Sequence, residues 1–402
     1  MFNDGISKAP ILIVGAGIGG LTLAHALLKR GLSVRVLEAA AALENVGAGI
    51  QIPPNAMKVL RALDLDAAVI ARAFRPVAIE ARMGQSGRGV FNIPLVDNGA
   101  DYAANRWGAP YLHIHRADYI AALSESLPKD ILQFGARVAG YRQTEPGVSV
   151  TLEDGTNIEG SYVIGADGIR SAIREQMLGP DAPEFTGNMA WRTVVPIEKL
   201  GELAPNPTAC AWFGPGRHAV TYRLGAQGDL VNFVGVVERK DWREEGWSVR
   251  GERAEALQDF KDWHPVITRV IEAADILHRW ALFDRKPLSQ WTEGRVVLMG
   301  DAAHPMLPFL AQGAAMAVED AWVLAKVIAG NGDLKAYQNR RLSRTSKVQA
   351  ASRANMGLFH KRSLAAKLGT YGPMWMAGKV APNIVHKRMD WLYGFDTAKV
   401  KI

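Results

Sequence analysis

Two groups of residues in this chain are suited to chemistry by type and spacing. His218 and Tyr222 fall in the strand-like run His218-Ala219-Val220-Thr221-Tyr222, where a period of two brings His218, Val220 and Tyr222 to one face. An imidazole beside a phenol can hydrogen-bond a hydroxyl or remove its proton; a core strand can equally hold such a pair for structural reasons. The second group comprises Gly15-Ala16-Gly17-Ile18-Gly19-Gly20, Gly165-Ala166-Asp167-Gly168 and Gly300-Asp301-Ala302-Ala303-His304-Pro305. Glycines at such positions let backbone N–H groups approach an anion. The first segment alone is a weak signal, common to many dinucleotide-binding proteins.

The elements that must position these residues can be read nearby. Pro10-Ile11-Leu12-Ile13-Val14 is an apolar run of the kind a buried parallel strand requires, and Leu21 to Leu28 continues with helical spacing. Gly15 then permits a tight strand-to-helix turn, Gly17 lets backbone approach a pyrophosphate, and Gly20 allows close helix packing. A second strand, Ser33 to Leu37, ends at Glu38, whose carboxylate either accepts from adenosine ribose hydroxyls or is a solvated strand end. Arg295 to Met299 forms a strand leading into Gly300-Asp301. The loop His304 to Gly313 precedes a helix from Ala314 to Ile328 whose N-terminal dipole favours negative charge. Its prolines restrain the loop, and Met306, Phe309 and Leu310 can make a water-excluding wall.

Taken in order, these motifs resemble the class A flavoprotein monooxygenases, the FAD-dependent aromatic hydroxylases, and among them the salicylate, 3-hydroxybenzoate and 6-hydroxynicotinate hydroxylases. The resemblance spans nearly the whole chain. It identifies Gly165 to Arg174 as the family's GxDGxxSxxR motif, associated with FAD and the nicotinamide cofactor, and puts Asp301 near the flavin ribityl chain. Arg116, in His113-Ile114-His115-Arg116-Ala117-Asp118-Tyr119, matches an arginine that contacts FAD, where a guanidinium fork gives charge-assisted hydrogen bonds. The implied cofactor-binding set is Gly15, Gly17, Gly20, Glu38, Gln51, Arg116, Asp167, Asp301, Pro308, Gly313 and Ala314. Gln51, Val220, Met306, Pro308 and Phe309 are expected to line the substrate pocket, with His218 and Tyr222 as the catalytic pair. Gln51, within Gly47-Ala48-Gly49-Ile50-Gln51, stands where some nicotinate-type relatives carry histidine. His304 is expected to fix the loop.

The resemblance implies reduction of FAD by NADH or NADPH, addition of dioxygen, and delivery of one oxygen atom from a flavin C4a-hydroperoxide to a small phenolic or heteroaromatic acid. No second strand–GxGxxG–helix unit occurs, so the nicotinamide cofactor is expected to bind without a Rossmann domain of its own. Alternatives are a same-fold flavoprotein acting on a lipid or isoprenoid at a membrane surface, and a non-enzymatic FAD-binding protein.

At 402 residues, 48% hydrophobic and 22% charged, the chain can bury a large core in more than one lobe. The expected fold is α/β: a Rossmann-like FAD-binding domain with an inserted antiparallel-sheet substrate domain and C-terminal helices. Its parts are 1–184 (with an excursion to the substrate lobe over 76–100), 185–284, 285–334 and a basic extension, 335–402. Strands over 189–197, 209–213, 218–224 and 230–237 make the inserted sheet. Cys210 is the single cysteine, which excludes an intrachain disulfide and a Cys-based zinc site; no metal is expected. Met1 to Pro10 lacks a leader pattern and no apolar span could cross a bilayer, so a cytoplasmic protein is expected.

The net charge of +7 is uneven: from Lys335 onward fourteen lysines and arginines face only Asp390 and Asp396. Helices are expected over Leu334–Leu358 and Leu364–Leu368, broken at Gly369-Thr370-Tyr371-Gly372-Pro373. This tail is read as packing against the FAD lobe with a homodimer contact, ahead of weak contact with anionic lipid. No nucleic-acid partner is expected, since no recognition fold accompanies the charge.

Overall fold

The structure is a computed structural model that describes residues 9–43, 48–97, 99–145, 147–180, 183–239, 249–380 and 382–400. Met1 to Lys8 and Gly47, used in the sequence reading, lie outside the described residues.

Strand β1 (Ile11–Val14) is buried throughout, as an uninterrupted apolar run demands, and leads through the glycine turn into α1 (Ile18–Leu28). It pairs in parallel with β2 (Val34–Leu37), Ile11 opposite Val34. The next elements are β3 (Gly49–Ile52), α2 (Pro54–Ala62), β4 (Ala78–Met83), β5 (Gly89–Pro94), β6 (Leu112–His115), α3 (Arg116–Ser124) and β7 (Leu132–Gln133). They are followed by β8 (Tyr162–Gly165), α4 (Ala172–Leu178), β9 (Glu184–Pro196), β10 (Ala209–Gly214), β11 (Arg217–Leu224) and β12 (Leu230–Glu238). The chain then forms β13 (His278–Asp284), β14 (Thr292–Glu293), β15 (Val296–Leu298), α5 (Gly313–Ala329), α6 (Leu334–Phe359), α7 (Leu364–Val380) and α8 (Pro382–Tyr393).

Two sheets organise the molecule. The first has the order β14-β15-β8-β1-β2-β7, with the three strands that lead into the glycine segments, β15, β8 and β1, side by side. The second runs β13-β9-β12-β11-β10-β4-β5, so the chain segment 78–94 joins the strands of 184–284 in one sheet. This is the mixed α/β fold expected. One joint differs from an antiparallel sheet: β10 pairs with β4 in parallel, because β4 arrives from the first lobe rather than by a hairpin.

The second sheet buries both faces. Ala219 and Phe233 pack toward Phe260, Trp263 and Ile267 of the helical segments over 253–272, while Phe213, Val236, Phe309 and Phe359 form a core on the other side. The second core ties this sheet to the 308–310 turn and to the end of α6.

The C-terminal region departs from the sequence reading. Helix α7 runs unbroken through Gly369 to Pro373, with Pro373 inside it. Packing overrides the local breaker: the Tyr371 ring stacks on Phe213 at 5.4 Å, and its hydroxyl donates to the carbonyl of Leu358 at 2.9 Å. On the outer side Leu364, Leu368, Trp375 and Met376 are exposed. No helix among the described residues is long and apolar enough to cross a membrane.

Candidate active site

The glycine turn is built as its sequence requires. Gly15 has φ +106°, and a Cβ there would lie 2.5 Å from the carbonyl oxygen of Ala166, so the first and second glycine segments touch through backbone. Gly17 has nothing within 4 Å of where a Cβ would be. That gap lies at the N-terminus of α1, where free N–H groups favour an anion. Glu38 closes one side: its Oε2 accepts from the backbone N–H of Ala16 at 2.7 Å and its Oε1 from that of Ala40 at 2.9 Å. The carboxylate is thus held at the strand tip beside the gap.

Arg174 stitches the second and third segments. Its buried guanidinium donates to the carbonyls of Ile169 and Ala302 at 2.6 and 3.2 Å. Asp167, which ends the β8 turn, is raised in pKa chiefly by burial and keeps Oδ1 without a hydrogen-bond partner. Asp301 is exposed, yet it is sunk deeply enough for desolvation to raise its pKa. An orphaned buried carboxylate oxygen at Asp167, an open glycine cradle and the Asp301 carboxylate fit a dinucleotide with hydroxyl and amide donors to offer.

The loop from His304 to Gly313 is fixed from below by a buried charge network. His304 Nε2 lies 2.5 Å from Asp320 Oδ2, which also accepts from the backbone N–H of Gly300 at 3.0 Å. Arg341 bridges Asp320 and Glu319 at 2.6 Å each, and Arg344 binds Glu319 at 2.7 Å. Asn55, at the start of α2, donates to Glu319 at 2.8 Å and to Gln312 at 3.2 Å. Arg341 is only 1% exposed, so part of the basic tail points inward as structural counter-charge. His304 holds the loop, as expected. Gly313 begins α5 with Asp301 and Met306 about its Cβ position at 3.8 Å, and Gly313 and Ala314 are half-buried while Pro308 is exposed.

On β11, His218, Val220 and Tyr222 share the face turned to this loop. The His218 ring meets Phe309 edge-on at 5.2 Å, and Val220 is half-buried between its neighbours. Burial holds the imidazole well below its usual pKa, with His360 adding to the effect. Tyr222 donates its hydroxyl to the Gly49 carbonyl at 2.7 Å, which fastens β3 to the sheet; burial raises its pKa. Gln51, two residues on in β3, accepts from the Tyr111 hydroxyl at 2.5 Å. Arg116 opens α3 with an exposed side chain, its backbone N–H donating to Ala48 at 3.1 Å.

Two residues here escaped the sequence reading. Arg192 on β9 sits 5.0 Å over the Trp280 ring; burial pushes its pKa down to about 10, Tyr222 opposes this and Arg116 adds to it, so the three lie within electrostatic reach of one another. His113 is fully buried, its ring 4.8 Å from Tyr222. Both lie on strand-like stretches with alternating side chains, but nothing local marks them as neighbours of Tyr222.

A glycine cradle at a helix N-terminus, flanked by carboxylates from separate strand ends and by a restrained loop, defines a dinucleotide-binding protein. Residues 8–352 match the FAD binding domain family, and the chain belongs to it. It is 38% identical over 404 residues to 3-amino-4-hydroxybenzoate 2-monooxygenase of Streptomyces platensis, covering 98% of each chain. It is 37% identical over 361 residues to 6-hydroxynicotinate 3-monooxygenase of Pseudomonas fluorescens, covering 88% of this chain and 93% of that one. The crystal structure of Klebsiella pneumoniae HpxO with FAD and uric acid superposes with a TM-score of 0.83 at 26% identity, over 95% of this chain and 96% of the other. The protein is an FAD-dependent monooxygenase of the aromatic hydroxylase type.

Proposed function

We propose that this enzyme uses NADH or NADPH and dioxygen to hydroxylate a small phenolic or heteroaromatic acid, of the hydroxybenzoate, salicylate or hydroxynicotinate kind. The observation that carries this reading is His218: a buried, neutral imidazole on the sheet face that meets Phe309 of the cleft loop. A neutral imidazole accepts a proton from a ring hydroxyl, and the resulting phenolate is far more electron-rich than the phenol. Arg192, cationic at neutral pH and close to Tyr222, supplies the charge that a ring carboxylate needs. Val220, Met306, Pro308 and Phe309 keep water from the reacting ring. Gly15, Gly17, Gly20, Glu38, Arg116, Asp167 and Asp301 hold the dinucleotide, with Gln51, Pro308, Gly313 and Ala314 at its ring end. When bound, FAD supplies the electron transfer and oxygen activation; the protein positions the ring and manages its proton.

The test is a stopped-flow screen of FAD reduction by NADH across hydroxybenzoates and hydroxypyridines, with product mass for each hit. At least one ring acid should strongly accelerate reduction and gain one oxygen atom. His218→Ala and Tyr222→Phe should then impair oxygen transfer more than FAD retention. A full panel without effect would sink the reading.

A second reading, action on a lipid or isoprenoid at a membrane surface, draws on the exposed apolar residues of α7, Leu364 and Leu368 being 72% and 64% exposed. Sedimentation of the holoenzyme with anionic vesicles, and substrate activity confined to them, would favour it. Retention of a dimer mass without vesicle binding would assign the same surface to a second copy.

A further inference from the structure

A continuous path of hydrogen-bonding groups leads from His218 toward the surface. His218 Nδ1 lies 2.7 Å from Nε2 of His360, which follows α6. His360 Nδ1 lies 3.0 Å from Oε1 of Glu238 at the end of β12, and Glu238 is paired with Arg362. Exposure rises along the path, from 1% at His218 and 8% at His360 to 38% and 67% at the Glu238 and Arg362 side chains. Phe309 and Phe359 flank the His218 ring and do not titrate. Among the described residues the titratable groups in contact along the path are these two histidines, the carboxylate and the guanidinium, with the Tyr371 hydroxyl close by on the carbonyls of Leu358 and Phe359.

The charges fix the tautomers. Burial opposes ionisation of Glu238, but Arg362 and His360 outweigh it and hold the carboxylate ionised at neutral pH. Burial keeps His360 neutral, against the pull of Glu238. An ionised carboxylate accepts only, so His360 must donate through Nδ1–H and is left with a bare Nε2. His218 must then donate through Nδ1–H, which leaves its Nε2 unprotonated. Among the described residues that Nε2 has no hydrogen bond.

We propose that His360 and Glu238 are positioning residues that hold His218 in its basic tautomer and relay the proton of the substrate hydroxyl between the buried cleft and solvent. This rests on the reading of His218 as the group that receives that proton. The ring O–H bond breaks as a proton moves to His218 Nε2; the Nδ1 proton passes to His360 Nε2, and the His360 Nδ1 proton to Glu238, which exchanges it with water. No electrons move. The same protons return in reverse when the hydroxylated ring recovers its phenol, which restores every tautomer. The arrangement extends the logic of an imidazole oriented by a carboxylate through one additional ring.

The experiment uses full-length, FAD-loaded enzyme and the ring acid that is hydroxylated fastest in the screen, 3-hydroxybenzoate and 6-hydroxynicotinate being the first probes. Wild type is compared with His218→Gln, His360→Gln, His360→Ala and Glu238→Gln for kcat, KM, pH profile and the absorbance of the bound phenolate. Glu238→Gln and His360→Gln should lower kcat by about tenfold or more with KM within about threefold, a share of the usual acid–base contribution. The pH at which the bound hydroxyl ionises should rise in both, and added imidazole should restore part of the rate in His360→Ala. Glu238→Gln lies at the half-exposed end of a strand, which keeps the test alive should the His360 variants fold poorly. The relay is overturned when His218→Gln loses hydroxylation but the other variants keep the wild-type rate, or when they lose rate with an unchanged pH profile and no imidazole rescue. A His218→Gln enzyme with wild-type kinetics overturns the underlying reading instead.

Discussion

Gly20 and Gly15 pack so tightly that a Cβ on Gly20 would sit 2.0 Å from the Gly15 carbonyl oxygen, whereas a Cβ on Gly17 would touch nothing within 4 Å. Two glycines of one motif therefore serve different ends. Gly17 has φ −75° and ψ −179°, a conformation any residue adopts, so Gly17→Ala should change stability by less than about 0.5 kcal/mol. The added methyl would occupy the gap proposed for the pyrophosphate, and FAD affinity should fall at least about tenfold, or 1.4 kcal/mol. Gly20→Ala meets an immovable backbone oxygen and should destabilise the apoprotein by about 3 kcal/mol. Melting temperature and FAD titration of both variants check the contrast; similar stability losses in the two would refute it.

Arg341 stands between two buried carboxylates, and its removal should be felt throughout the cleft loop. Breaking such a network by taking out one partner costs about 3–5 kcal/mol, so Arg341→Met should show a marked drop in thermal stability. Burial raises the pKa of Asp320 and Glu319, but for Asp320 the His304 and Arg341 charges, and for Glu319 the Arg341 and Arg344 charges, prevail and hold both below ordinary carboxylate values. A depressed folded-state pKa stabilises the protein above the unfolded pKa of about 4 and loses that contribution as pH falls through the folded value. The gap between wild type and variant should therefore be widest at neutral pH and shrink in acid. Unfolding curves at pH 7 and pH 3.5 that differ by the same amount would contradict this.

How far the sequence discloses this architecture depends on whether the signal is local. The β1–α1 turn, the Gly300-Asp301 strand end and the strands of the second sheet all announce themselves by glycine spacing or apolar alternation, and each forms within a few residues of its expected bounds. Helix α7 does not, because Tyr371 on Phe213 is a tertiary contact that outweighs the breaker sequence around Pro373. The partnership of Arg341 with Glu319 and Asp320 spans about twenty residues and two helices; composition registers only a basic tail. His360 lies in that tail and has no motif, so its approach to His218 is visible only once α6 is packed.

His113 gives a second acid-side titration, this time of a group held neutral rather than charged. It is neutral and fully buried, its Nδ1 lies 3.2 Å from the carbonyl of Arg223, and burial lowers its pKa from 6.5 to about 3 despite that hydrogen bond. The unfolded chain takes up the proton first, so the stability tied to this ring is complete above pH 6.5 and drains away as pH falls toward 3. The slope is about 1.4 kcal/mol per pH unit within that window. His113→Phe should flatten the decline in urea-unfolding free energy between pH 6 and pH 4 by nearly one proton. Parallel curves for the two proteins would show that the ring titrates normally or stays protonated.

On the proposed function, substitution of Arg192 should discriminate sharply between ring acids and rings without a carboxylate. Its guanidinium lies over Trp280 and within electrostatic reach of Tyr222 and Arg116, and even with its pKa pulled down to about 10 it stays charged near neutral pH. A charge-assisted hydrogen bond to a carboxylate contributes about 1.5–3 kcal/mol, which corresponds to roughly tenfold to a hundredfold in affinity. Arg192→Met keeps an apolar stem against the indole and removes the charge. KM for a ring acid such as 3-hydroxybenzoate should rise by that factor, while the binding of a ring without a carboxylate, such as catechol, should change by less than about threefold. Arg192→Lys should recover only part of the loss, since an ammonium restores the charge without the planar fork. Equal losses for both rings would instead mark Arg192 as a support for the sheet or for the cofactor, and FAD retention in the same variants separates those two roles.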